Sequence, residues 1–320
     1  MFWSINKINT INNATIFLAG SLITIIISSN LTRRDQVWRI AIFLVAIGAY
    51  IAIDSIIPAF PKYIIALKNG EFSGETFLFR KLNLPRIGYT FGESNTLGGF
   101  FSLIIPFVFC LTFFGLETNF KNIKKGSKKI FNIIFTILIK LIDYSAILIF
   151  LLVIFMTASR GAILGLISSI IFIVIVRRKW YINLMILLLI ILLLVLPQVR
   201  ETITYLYKGI VDEHRIVIWQ NSLELIKMFP FTGIGLGNFK ITYNSYFGQE
   251  MMHAHNIFLN SFVEMGFPGF LLVLIISLQM LIGGIYILKR KIERFSYSLI
   301  LGLNSVFFGF LIRCIVDFTL

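Results

Sequence analysis

The chain has 320 residues, of which 58% are hydrophobic, 15% aromatic and only 14% charged, with a formal charge of +14. A soluble globular domain carries about 45–50% apolar residues with both signs of charge spread along it, and this composition excludes one. Charges here cluster between apolar runs, about 15–25 residues long where about 20 cross a hydrocarbon core. The positive balance therefore reads as the Lys and Arg excess of cytoplasmic loops rather than as a nucleic-acid footprint. Cys110 and Cys314 sit alone in apolar runs, with no C-x-x-C pair and no zinc spacing. The first apolar run lacks a basic n-region and a small-residue cleavage site, so it reads as a retained helix.

In chain order the pattern predicts an all-α polytopic membrane protein of about eight transmembrane helices, a single integral-membrane domain over residues 1–320. The predicted spans are 14–28, 38–57, 95–116, 141–158, 162–176, 181–197, 256–288 and 296–317. The seventh is too long for one straight crossing. It is expected to begin as an interfacial helix at Asn256 and to break at Gly266-Phe-Pro-Gly269, because Gly and Pro interrupt helices.

Lys and Arg in short loops set orientation. Arg33, Arg34 and Arg39 form one group, and Lys121, Lys124, Lys125, Lys128, Lys129 and Lys140 a second. Arg177, Arg178 and Lys179 form a third, and Lys289, Arg290, Lys291 and Arg294 a fourth. These lie on the cytoplasmic side, and the polar excursion 198–254 is then outside, as is the N-terminus. An outer N-terminus is unusual for a complete polytopic chain and implies an odd number of further helices upstream. An impermeant thiol reagent on spheroplasts checks the orientation: Ser245→Cys should label and Lys125→Cys should not, and the reverse pattern overturns it.

Four stretches carry chemistry. Loop 58–94 ends in Arg86-Ile-Gly-Tyr-Thr-Phe-Gly-Glu-Ser-Asn95, where Ser94 or Asn95 is placed to cap the third span and leave outward N–H groups that favour anions. Gly98, Gly99 and Pro106 in that span allow close packing or a kink. Thr157-Ala-Ser-Arg-Gly-Ala162 makes a tight outer hairpin that pins Arg160 at the membrane boundary. An ionisable residue there is a functional hypothesis by default; a headgroup-snorkelling arginine is the bland alternative. Arg215 opens a helix to about Met228, with Ile216, Trp219, Leu223 and Ile226 on one expected apolar face. A cation in a first turn opposes the helix dipole, which argues for a partner or substrate. Pro230-Phe-Thr-Gly-Ile-Gly-Leu-Gly-Asn-Phe239 superficially resembles a dinucleotide fingerprint, but no strand precedes it and the spacing differs, leaving a tight turn with backbone donors. Finally, His253 and His255 precede Asn256, Asn260 and Glu264, a polar stripe at i, i+4, i+8. Two histidines one residue apart do not make a helical metal pair, which needs i, i+4. His255 is read as a base or, more blandly, as a capping residue.

In this order, Arg86…Gly92-x-x-Asn95, Ser159-Arg-Gly161, Arg215-x-x-x-Trp219, Pro230-x-x-Gly233-x-Gly235-x-Gly237-Asn-Phe239 and His255-Asn256-x-x-Leu259…Glu264-x-Gly266-x-x-Gly269 resemble the bacterial O-antigen ligase and Wzy-type O-antigen polymerase superfamily over roughly residues 80–320. The resemblance implies a multi-pass glycosyltransferase of the GT-C kind in the bacterial cytoplasmic membrane. It implies transfer or polymerisation of a glycan from undecaprenyl pyrophosphate to an acceptor sugar, lipid or protein, with no cofactor, metal or nucleic acid. Family members have about a dozen helices; three further helices upstream and one downstream would reconcile the count, and the chain is read either as a fragment or as a natural short form.

On this reading Arg160 and Arg215 bind the pyrophosphate and line one outward cavity, since guanidinium pairs phosphate oxygens bidentately. His255 takes the proton of the acceptor hydroxyl. Arg86 and Asn95 bind substrate, as do Trp219, Asn256, Asn260 and Glu264, the last three alternatively orienting His255. Membrane lipids are the remaining partners. The rival from another class is a glycan-lipid transporter or flippase, which needs ionisable residues at the bilayer midplane. Asp54, Asp143 and Glu264 are its candidates, and each lies near an interface.

Overall fold

The computed structural model describes residues 4–30, 34–68, 87, 93–115, 127–157, 159–177 and 213–316. Among these residues there are helices and no strand. The helices are α1 (Lys7–Asn30), α2 (Arg34–Lys68), α3 (Ser94–Cys110, continued by a π-helical turn Leu111–Gly115), α4 (Ser127–Thr157) and α5 (Arg160–Arg177). After them come α6 (Glu213–Met228), α7 (Phe239–Phe247), α8 (Ile257–Leu288) and α9 (Arg294–Val316).

Stretches Asp35–Pro61, Ser94–Phe114, Ile137–Thr157, Arg160–Arg177, Ile257–Leu288 and Arg294–Ile315 are long and apolar enough to cross a membrane. The chain is an all-α polytopic membrane protein. Expected span 14–28 falls within α1, while 181–197 lies outside the described residues, as does Arg86. The second span does not end at 57. Pro58 and Pro61 lie inside α2, which runs on to Lys68, because apolar surroundings offer the backbone no partner better than the helix itself. The loop expected from 58 thus begins as helix.

The chain forms two compact units. One takes Ala41–Tyr207 and Leu281–Ile312. Its enclosed element is α3, with 72% of its most apolar window buried against 22% for α4. Phe101 of α3 and Phe150 of α4 are fully buried with ring centroids 4.9 Å apart. At one end, α3 passes close over the turn between α4 and α5: a Cβ on Gly98 would lie 2.8 Å from Thr157 Oγ1 and 3.0 Å from Ser159 Cβ. This is the close packing expected of Gly98. At the other end Arg177 stacks 3.8 Å from the Phe114 ring centroid, and Arg294 Nε donates to Phe114 O at 2.7 Å. The basic ends of α5 and α9 therefore share one face with the end of α3, as the orientation argument requires. The other unit takes Met1–Ile40, Lys208–Met280 and Arg313–Leu320 and holds the described part of the polar excursion, residues 213–254.

Candidate functional site

The first group of site residues gathers at the α4–α5 turn. Thr157 closes α4, with its hydroxyl donating to Ile154 O at 2.7 Å and accepting from Ser159 N at 3.4 Å. Ser159 Oγ accepts from Ala162 N at 3.4 Å and so caps α5. Arg160, half-buried, is the first residue of α5. Ile87 is fully buried, and its N–H donates to Met156 O at 3.4 Å, which fixes the residue after Arg86 at the same turn. Asn95 lies in the first turn of α3 beside it, but neither it nor Ser94 is the cap. Glu93 occupies that position in extended backbone without a side-chain capping bond, because its carbonyl already accepts from Leu97 N at 3.2 Å. The helix starts one residue before the polar pair.

The second group is built on α8. Gly266, at φ 68 and ψ −171, breaks this helix as its sequence predicts. A break opens the hydrogen-bond ladder, and the glycine-rich turn fills the gap. Ile234 N donates to Val263 O and Gly235 N to Glu264 O, both at 2.9 Å, while Phe267 N donates to Pro230 O at 2.8 Å. Backbones approach so closely that a Cβ on Gly233 would lie 2.5 Å from the Glu264 carbonyl, and one on Gly266 would strike Phe231 O. The Glu264 side chain, buried, accepts from Phe239 N at 3.2 Å and from Gly237 N. Several of the turn's backbone donors therefore serve α8 rather than an anion.

Replacing Gly233 tests this stitching. Its φ of 64 alone costs an L-residue about 1–3 kcal/mol, and the close backbone adds to that. Gly248 has φ 66 and nothing within 4 Å of an added Cβ. Thermal unfolding in detergent should show Gly233→Ala lowering Tm well below Gly248→Ala; equal shifts would mean the stitching contributes nothing.

Around this frame, α6 and α7 close a small core of Ile218, Leu225, Ile234, Phe239, Tyr243, Ala254 and Val263. The buried face of α6 is Ile218, Ser222 and Leu225, not the expected Ile216 and Leu223, which are exposed. The reason is α7, whose Tyr243 accepts from Asn221 at 2.8 Å and turns α6 by about one residue. Burial pushes the Tyr243 phenol up, with the Asn221 bond acting the other way, so it stays protonated.

The segment before α8 is clamped on both sides. Ala254, fully buried, donates its N–H to Asn260 Oδ1 at 3.1 Å and accepts at its carbonyl from Trp219 Nε1 at 2.9 Å. Asn256 Oδ1 accepts from Phe258 N at 3.0 Å and Leu259 N at 3.1 Å, so Asn256 caps α8. His255 lies between clamp and cap, half-buried, with φ 52, a left-handed backbone that a non-glycine residue adopts only under constraint. The reversal at His255 carries its ring to the same side as that of His253, centroids 4.6 Å apart and edge-on. The two rings are neighbours. Arg215 is half-buried in the first turn of α6.

Sequence reasoning missed Asn238 and the N-terminal segment. Asn238, fully buried, donates from Nδ2 to Ser4 Oγ at 2.8 Å, Thr10 Oγ1 at 3.1 Å and Ile234 O at 3.1 Å. Asn9 Nδ2 reaches Asn238 Oδ1 at 3.2 Å and bonds Gly237 O. Ile5 N donates to Ile234 O at 3.3 Å. The N-terminal segment thus lies on the glycine-rich turn. The available signal was Asn6, just before α1, with Asn9, Thr10 and Asn13 in it, spaced i, i+3, i+4, i+7.

Against known proteins, a family model described as O-antigen ligase matches residues 145–274. The match takes in Arg160, Arg215, Trp219, the glycine-rich turn, His255 and the α8 break, and leaves out Arg86 and Asn95. No curated protein matches the chain. Over residues 145–274 the chain is similar to the O-antigen ligase family, and there the resemblance of its motifs to that superfamily is borne out.

Proposed function

We propose that this membrane protein transfers or polymerises a glycan from undecaprenyl pyrophosphate onto an acceptor sugar, lipid or protein at the outer face of the cytoplasmic membrane. The observation that supports it most is His255, held in left-handed backbone between a clamped Ala254 and a separately capped helix. Helix capping needs an oxygen acceptor, and Asn256 supplies it, so capping does not explain His255.

In the proposed step the acceptor hydroxyl attacks the anomeric carbon, and the C–O bond to the pyrophosphate breaks. The His255 imidazole takes the hydroxyl proton. Undecaprenyl pyrophosphate leaves with the bonding electron pair, and the guanidinium groups of Arg160 and Arg215 stabilise its charge. Arg86 and Asn95 are proposed as further substrate contacts. Trp219, Asn260 and Asn256 act as positioning residues, since each has a polar side-chain atom engaged with backbone that flanks His255, and Glu264 acts at one remove by tying the glycine-rich turn to α8.

The transporter reading gains nothing from two of its three candidate carboxyls. Asp143 accepts from Thr112 Oγ1 at 2.6 Å and Glu264 from the glycine-rich turn, so both have structural partners. Deleting the gene separates the readings. Loss of a transferase should leave intact lipid-linked glycan accumulating on the outer leaflet, whereas loss of a flippase strands it on the cytoplasmic one.

A further inference from the structure

The glycine-rich turn ends in a corner that the transfer chemistry does not use. Phe231 is 72% exposed, the most exposed phenylalanine among the described residues. Its place is fixed, because the Phe267 N–H donates to Pro230 O at 2.8 Å and Gly266 packs against the Phe231 carbonyl. Phe267, itself 44% exposed, is the first residue after the break in α8. From it an exposed apolar stripe runs down that helix through Leu271, Ile275 and Leu278, at i, i+4, i+8 and i+11. Such a stripe on a membrane-spanning helix is a lipid-facing surface. The exposed Phe231 is therefore continuous with the surface that α8 gives to lipid, at the level where aromatic residues concentrate in membrane proteins.

We infer that the Pro230–Phe231 corner is a membrane anchor, with the Phe231 ring inserted beside Phe267 into the acyl-chain region of the leaflet that the polar excursion faces. The occupant is phospholipid hydrocarbon. A solvated face is disfavoured, since an exposed phenylalanine held in place by backbone bonds gains only by burying its apolar area. The consequence is positional. The same turn is bonded to Val263 and Glu264 of α8, so inserting its corner sets the depth of the helix start and of the His255 segment that precedes it.

Depth measurement tests this without reference to glycan transfer, so its failure and the failure of the transfer reading are distinguishable. Cys110 and Cys314 are both buried, and the parent chain is first confirmed to take up no thiol label. A nitroxide is then placed at Phe231→Cys in nanodiscs of phosphatidylethanolamine and phosphatidylglycerol. Leu271→Cys serves as the lipid reference and Glu250→Cys, on an exposed charged residue, as the aqueous one. Relaxation by oxygen exceeding that by a water-soluble nickel chelate, as at position 271, is the expected result. The opposite order, as at position 250, overturns the inference. Protection from both also overturns it, since protein and not lipid then covers the corner. Thr232→Cys, exposed on the same corner, provides a second reading should the first variant be unstable.

Discussion

His255→Ala is expected to cut glycan transfer by about 10²–10⁴-fold, the range for losing a general base, while leaving protein abundance unchanged. The expectation follows from what surrounds the ring. Trp219 and Asn260 hold Ala254 from either side, and Asn256 caps the helix that follows. Removing the imidazole therefore leaves the clamp and the cap in place, so the fold should survive. His255→Gln discriminates further. An amide hydrogen-bonds much as imidazole does but cannot take a proton, so it should be as inactive as alanine. Near-normal transfer by His255→Gln removes the base role and leaves leaving-group stabilisation as the main source of catalysis. His253→Ala takes away the neighbouring ring, 4.6 Å off, but not the base, and its loss should be smaller.

Arg160→Ala and Arg215→Ala are each expected to weaken use of the pyrophosphate lipid by about 1.5–3 kcal/mol per lost charge-assisted bond, which is about 10–150-fold in kcat/KM at 1.4 kcal/mol per decade. Arg160 opens α5 behind the Ser159 cap and Arg215 lies in the first turn of α6. In both places a cation opposes the positive end of its helix, and that standing cost is offset if an anion binds there. The lysine variants carry the sharper information. Lysine keeps the charge and loses the fork that matches two phosphate oxygens, so Arg→Lys should recover little. Full recovery by lysine at both positions would reduce their role to a diffuse positive field.

Much of this was legible in the sequence because the signals are local. Apolar runs gave most of the helices, and Gly266-Phe-Pro-Gly269 gave the break in α8. The short polar interval after Thr157 gave the α4–α5 turn. What escaped depends on distant partners. The α7 helix, Phe239–Phe247, is rich in aromatic and β-branched residues and polar between them, and its stability comes from packing Phe239 and Tyr243 into the core of its unit. The face of α6 was misjudged for the same reason, since α7 selects Ile218 and Leu225 over Ile216 and Leu223. Asn238 gave no sign of bonding Ser4 and Thr10, more than 220 residues away along the chain. The left-handed backbone of His255 is set by the clamp that Trp219 and Asn260 place on Ala254.

The central claim is cleavage of a lipid–pyrophosphate glycan, and its most direct measurement is a transfer assay on the purified chain in nanodiscs. Donor lipid labelled in both its undecaprenyl and glycan parts is supplied with acceptor, and the products are separated. Free undecaprenyl pyrophosphate is expected to appear in step with acceptor-linked glycan, one for one, and to be lost with His255→Ala and Arg215→Ala. Donor that changes leaflet while remaining intact, with no undecaprenyl pyrophosphate released, would contradict transfer and leave transport in its place.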